Sequence, residues 1–225
     1  MKVKAFIAAL LLSPLNAVAA DDFLGSKLDS FGVRQGVDHL WPLCQKIDRP
    51  CGLEELEVND PSLSAPSGGT TIMGQTVRDV LDHITTRAPK YQWAVRKGVI
   101  NIEPKDRGTE NPLDRKLAKV SLKNMSSTRA ALHVLQLANA LGSFQPPGNF
   151  RLRKIHDLEL ENVTVREALN AIVAADGQAM WVVFPRNKDK PSLFFGLWGS
   201  SGLKGADHDA ERKRIWEEWR TSQVR

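Results

Sequence analysis

The sequence predicts an α+β fold of two pseudo-repeated lobes, each a small antiparallel or mixed sheet with two helices, followed by a C-terminal helix. Three observations predict it: a duplication at an offset of 88 residues, the same strand–helix–strand–strand grammar in both copies, and a tail with a helical face of its own. A search for such repeats comes before any fold assignment, because a missed repeat misreads the whole architecture.

In the duplication, Thr76-Val-Arg-Asp-Val-Leu-Asp-His-Ile84 matches Thr164-Val-Arg-Glu-Ala-Leu-Asn-Ala-Ile172, and Trp93 falls on Trp181. Thr76 and Thr164 read as helix N-caps, with an acid three residues on at Asp79 and Glu167. Those are capping-box positions, which Glu167 suits better than the shorter Asp79. Apolar residues then recur at Val77, Val80, Leu81 and Ile84, and at Val165, Ala168, Leu169 and Ile172. That spacing sets one apolar stripe against a core. Pro89 and Gly177 stop the helices.

Strands are expected on both sides of each helix. Residues 70–73 precede the first and 155–160 the second. Residues 91–96 and 99–102 form a hairpin around Lys97-Gly98, and 179–184 with 193–198 form another around the polar 186–190. Each copy has an upstream helix, 33–46 in the first and 127–141 in the second. A strand at 117–122 alternates well, whereas its counterpart at 26–31 is weak, and 54–58 supplies one more. The lobes are then 22–105 and 114–200, joined by the polar 105–112, with a tail over 205–225. Each second hairpin strand, 99–102 and 193–198, ends its unit and is expected at a sheet edge. The second is apolar enough to need a cover, and the tail helix bearing Ile215, Trp216 and Trp219 is expected to provide it. Trp216 and Trp219 are also candidate partner contacts.

Residues 1–20 read as a cleavable signal peptide: Lys2 and Lys4, the apolar run 5–12, then Ala17-Val-Ala-Ala20. A spanning helix needs about 20 apolar residues, so no membrane span is expected after cleavage. The formal charge of +5 falls to +3 without residues 1–20, which hold two lysines and no acid. So mild and dispersed an excess argues against nucleic acid as a partner. Export places Cys44 and Cys51, the only cysteines, in an oxidising compartment. Their spacing fits neither a C-x-x-C redox pair nor a zinc site, so a structural disulfide is expected, stabilising by roughly 2–3 kcal/mol. Mass spectrometry of the exported protein should show a start near Ala20 or Asp21 and no alkylatable thiol before reduction.

Thr164-Val-Arg-Glu-Ala-Leu169 followed by an aromatic-bearing hairpin resembles the short N-terminal domain of secretins and TonB-dependent receptors. The resemblance covers about 35 residues in each lobe, roughly a third of the chain. It implies a periplasmic module that makes protein–protein contacts and performs no chemistry.

The residues themselves offer no catalytic motif. None of the five histidines stands at metal-ligand spacing from another ligand, and no nucleophile elbow, P-loop or dinucleotide fingerprint occurs. No metal and no cofactor are therefore expected. His83 reads as a surface residue. Arg78 and Arg166, at equivalent places in the repeat, are candidate contacts to an acidic partner; their other role is to cover the sheet edge with their stems. Trp93 and Trp181 read as core packing. The expected function is a non-enzymatic, exported interaction module with an envelope protein partner, accessory to transport, secretion or pilus assembly. The competing expectation is a small enzyme or inhibitor acting on envelope material, with its site between the lobes. A buried polar cluster with shifted pKa values there would favour the second, and a dry interface with an exposed sheet edge the first.

Overall fold

The helices of the two matching segments begin as their caps dictate. In the computed structural model, Thr76 and Thr164 adopt nearly identical extended conformations, with φ −77°, ψ 163° and φ −77°, ψ 161°. Each accepts a hydrogen bond from the backbone N–H three residues on, and Asp79 and Glu167 accept in return from the cap N–H at 2.8 and 2.7 Å. Asp79 thus closes its box as fully as the longer Glu167 does. Gly177 ends the second helix at φ 85°, a left-handed conformation that glycine adopts without a Cβ clash.

The structure describes residues 22–29, 31–33, 37–56, 70–72, 74–108, 111–144, 154–155, 157–177, 179–187, 190–198, 213 and 217. In chain order these form β1 (Phe31–Val33), α1 (Val37–Lys46), β2 (Cys51–Glu54), β3 (Thr70–Ile72), α2 (Val77–Arg87), β4 (Tyr91–Arg96) and β5 (Val99–Pro104). Then come β6 (Lys116–Leu122), β7 (Met125–Ser126), α3 (Ser127–Leu137), β8 (Leu141–Phe144), β9 (Lys154–Ile155), β10 (Leu158–Thr164), α4 (Val165–Asp176), β11 (Met180–Asn187) and β12 (Lys190–Trp198). The fold is α+β. Trp216 and Trp219 lie outside the described residues, as does the rest of the tail save Lys213 and Glu217. No helix among the described residues is long and apolar enough to cross a membrane.

One six-stranded mixed sheet, in the order β4-β5-β2-β11-β12-β8, runs through both segments. The first contributes β4-β5-β2 and the second β11-β12-β8, each an antiparallel hairpin with a parallel third strand. Small antiparallel pairs, β1–β3 and β10–β6, stand beside them. The two segments do not close as separate sheets, because β2 pairs in parallel with β11. The second hairpin strands are consequently not edges: β5 lies between β4 and β2, and β12 between β11 and β8. A crossover through a helix brings β2 and β8 back alongside them, so among the described residues the sheet ends on β4 and β8.

Alternation along these strands separates two cores. Ile100, Ile102, Cys51, Leu53, Met180 and Val182 pack with α1 and α2 residues such as Leu43, Val80 and Leu81. Val99, Trp181 and Val183 pack with α3 and α4 residues such as Leu135, Leu169 and Ile172. The two helix pairs therefore cover opposite faces of the shared sheet. Since β5, β2 and β11 run together while β12 and β8 oppose them, the strand groups are related as by a twofold screw across the sheet. Cys44 and Cys51 form a disulfide with Cα atoms 6.4 Å apart, tying α1 to β2 inside the first core.

Candidate functional site

The face of β2 and β5 turned from the first core carries Glu54, Asn101 and Glu103, a pattern that reads as solvent-facing. It is buried instead. Helix α4 packs over β11 and reaches across β2 and β5, and its first turn brings Arg166 down between the acids. Arg166 Nη1 lies 2.6 Å from Glu54 Oε2 and 3.8 Å from Glu103 Oε2, and Nη2 lies 3.3 Å from Asp114 Oδ1. Its side chain is 4% exposed, and Nε is enclosed without a hydrogen-bond partner.

The residues expected to link two lobes complete this clamp. Arg107 pairs with Glu103 and lies 3.6 Å from Asp114, while Asn111 donates to the other oxygen of Glu54. Arg96, from the end of β4, reaches Glu103 Oε1 at 2.7 Å. Burial opposes ionisation of Glu103, yet the Arg96 hydrogen bond and the charges of Arg107, Arg96 and Arg166 outweigh it, so its carboxyl titrates below the usual glutamate range. Glu167 is lowered mainly by the Thr164 backbone hydrogen bond, and Asp79 by the Thr76 hydroxyl.

A cleft of about 320 Å³ opens beside the clamp, walled by Arg96, Lys97, Arg107 and Arg166 with Asp114 and Glu167. The excess of cations at its wall vanishes once Glu54 and Glu103 beneath it are included, four charges of each sign. Among the described residues no group of His, Cys, Asp and Glu side chains could hold a metal ion.

The acids' lowered pKa values carry a sign. A carboxylate whose folded pKa is depressed contributes stability that is complete above its ordinary value, about 4.3 for glutamate, and is lost as pH falls through the folded value. Melting temperature should therefore hold steady above about pH 5 and fall below about pH 4. Glu103→Gln should lower the plateau and reduce the acid slope. A slope equal to that of the parent would mean that Glu103 plays no part in it.

The candidates at matching sequence positions part company here. Arg166 is buried in the clamp, so it is not an outward contact. Arg78 is exposed on α2 and lies over the Trp93 ring, 5.5 Å from its centroid. The indole N–H of Trp93 donates to Asp82 at 2.7 Å, and that of Trp181 donates to Asn170, the position matching Asp82, at 2.8 Å. Trp181 is fully buried and Trp93 half-buried. His83 is half-buried with Nε2 enclosed and unpartnered, rather than at the surface. Residues Glu54, Glu103, Arg107 and Asn111 carried no signal of a shared role, because they meet only when the two segments join.

Comparison with known proteins finds no matching family model, no matching curated protein and no matching solved structure.

Proposed function

We propose that the protein is a non-enzymatic, exported interaction module, accessory to envelope transport, secretion or pilus assembly, and that it binds an acidic protein partner through Arg78. The observation that carries this reading is the contrast between the two repeated arginines. Arg166 is spent on the acids of the neighbouring segment, whereas Arg78 occupies the same place on α2 and faces outward over Trp93. Where α4 has an acidic neighbour inside the chain, α2 offers the same basic side chain to a partner.

The signal-like residues 1–20 and a disulfide suited to an oxidising compartment support export. The resemblance to secretin and TonB-dependent receptor modules supports the role. An internal duplication is supported by the common strand pairings, the matched capping boxes and the matched indole hydrogen bonds. The charged cleft is what favours the competing reading of an enzyme or inhibitor. Two of its acids weigh against a general-acid role: the partners of Glu103 and Glu167 lower their pKa values, and a general acid needs its pKa raised.

Crosslinking and pull-down from the periplasm tests the proposal. A protein should be captured by the parent and by Arg78→Lys, and lost with Arg78→Glu. A capture indifferent to the charge reversal, or a bound small molecule with no captured protein, overturns it.

A further inference from the structure

The internal junction between the two segments is a parallel pairing in which β11 receives β2. Among the described residues, each molecule also carries the two halves of that junction unused. At one end of the sheet stands β4, the counterpart of β11, which among the described residues pairs only with β5. At the other stands β8, the counterpart of β2, which pairs only with β12 among those residues.

The backbone groups of β4 point the right way. Its hairpin closes through Lys97 and Gly98, both at positive φ, and Lys105 N–H donates to Lys90 O at 2.8 Å at the far end. Antiparallel alternation then turns the N–H and C=O groups of Trp93 and Val95 away from β5. The positions 88 residues on, Trp181 and Val183, belong to the set of β11 residues that faces β2: Glu55 N–H donates to Val183 O at 2.9 Å, and Cys51 N–H to Ala179 O at 3.2 Å. Strand direction agrees as well. β4 and β8 both run against β2 and β11, so a β8 laid beside β4 is parallel to it, as β2 is to β11. Leu137, four residues ahead of β8, is the large apolar side chain left exposed among the described residues, at 49%.

We propose that the protein assembles head to tail, β8 of one copy adding in parallel to β4 of the next and extending the six-stranded sheet. The contact is heterologous, since two different edges meet, so growth yields chains rather than a closed dimer. An unpaired edge strand is a template for such pairing. The proposal goes beyond the function given above, because it rests on backbone groups and a second copy, not on Arg78 and an envelope partner.

Sedimentation velocity over a rising protein concentration tests it. The parent should shift from a monomer to a concentration-dependent series of dimers and longer species. Val95→Pro removes an outward N–H at an edge, where proline is tolerated, and should lose that series while circular dichroism stays unchanged. Its β8 remains intact, so a minor fraction mixed into the parent should cap chains and shorten them. If Val95→Pro does not fold, hydrogen exchange of the parent decides: the Trp93 and Val95 amides should gain protection as concentration rises, and the Ile100 amide should not. A parent that stays monomeric at near-millimolar concentration, a dimer indifferent to Val95→Pro, or unchanged exchange at both amides overturns the proposal. None of these outcomes bears on the Arg78 pull-down.

Discussion

Arg166→Met should lower the unfolding free energy by about 3–5 kcal/mol, the cost of removing one partner from a buried ion pair. The arginine and Glu54 are 4% and 9% exposed, and their closest approach is 2.6 Å. Without the guanidinium, Glu54 keeps, among the described residues, only the Asn111 amide, and its charge remains beneath α4. Glu103 still has Arg96 and Arg107, so the loss should centre on Glu54. Replacing both members tests this. Arg166→Met with Glu54→Leu should recover most of the stability, since an apolar pair of similar volume avoids the desolvation of two charges. Arg78→Met, at the matching place on α2, should cost no more than about 1 kcal/mol, the scale of an exposed cation–π contact. Urea denaturation of the four proteins checks the set. Equal losses at Arg78 and Arg166, or a double variant as unstable as Arg166→Met, would show that the clamp is not the junction's main polar support.

Trp181→Ala should cost about 3–5 kcal/mol as well, for a different reason. The indole is fully buried and lies on Gly52, its register partner in β2, so closely that a Cβ there would sit 2.2 Å from Cε2. Gly52 is therefore required by the neighbouring ring and not by its own backbone. Neither side can yield: β2 is paired to β5 and β11 on its two sides, and the indole N–H is tied to Asn170 at 2.8 Å. Gly52→Ala alone should destabilise by about 1–3 kcal/mol through overpacking. In the Trp181→Ala background the same substitution should cost little, because the cavity receives the new methyl. That coupling is the measurement to make, by melting the two single variants and the double. Additive losses would mean that the ring does not press on Gly52. Trp93→Ala should cost less than Trp181→Ala, since Trp93 is half-buried and its Asp82 partner is exposed.

The local structure was legible because it follows from short-range chemistry. A threonine with an acid three residues on makes its cap wherever it lies, and the stripe Val77, Val80, Leu81, Ile84 is buried as its period requires. The hairpin turn at Lys97-Gly98 likewise needs only its own two residues. Cys44 and Cys51 are close in sequence and had no other cysteine to meet. Boundaries shifted where flanking residues could serve either state: α1 begins at Val37, α3 ends at Leu137, and β2 is Cys51–Glu54, earlier than the alternation of 54–58 suggests.

Which strands became neighbours was decided only in the tertiary structure. Alternation in Val99-Ile-Asn-Ile-Glu103 says that Ile100 and Ile102 share one face and Asn101 and Glu103 the other. It does not say whether the second face meets water or a helix. A lone small sheet would leave Glu103 in solvent; the parallel junction of β2 with β11 brings α4 over it, and Arg166 supplies the charge that makes burial tolerable. For the same reason two arginines at matching places, each preceded by Thr-Val, have different environments. Caps, stripes and turns are set within a few residues, so the sequence determines them alone. The edges, the covered face and the clamp depend on pairing across more than 100 residues, as between Glu54 and Arg166, and backbone hydrogen bonding makes that pairing without regard to side-chain identity.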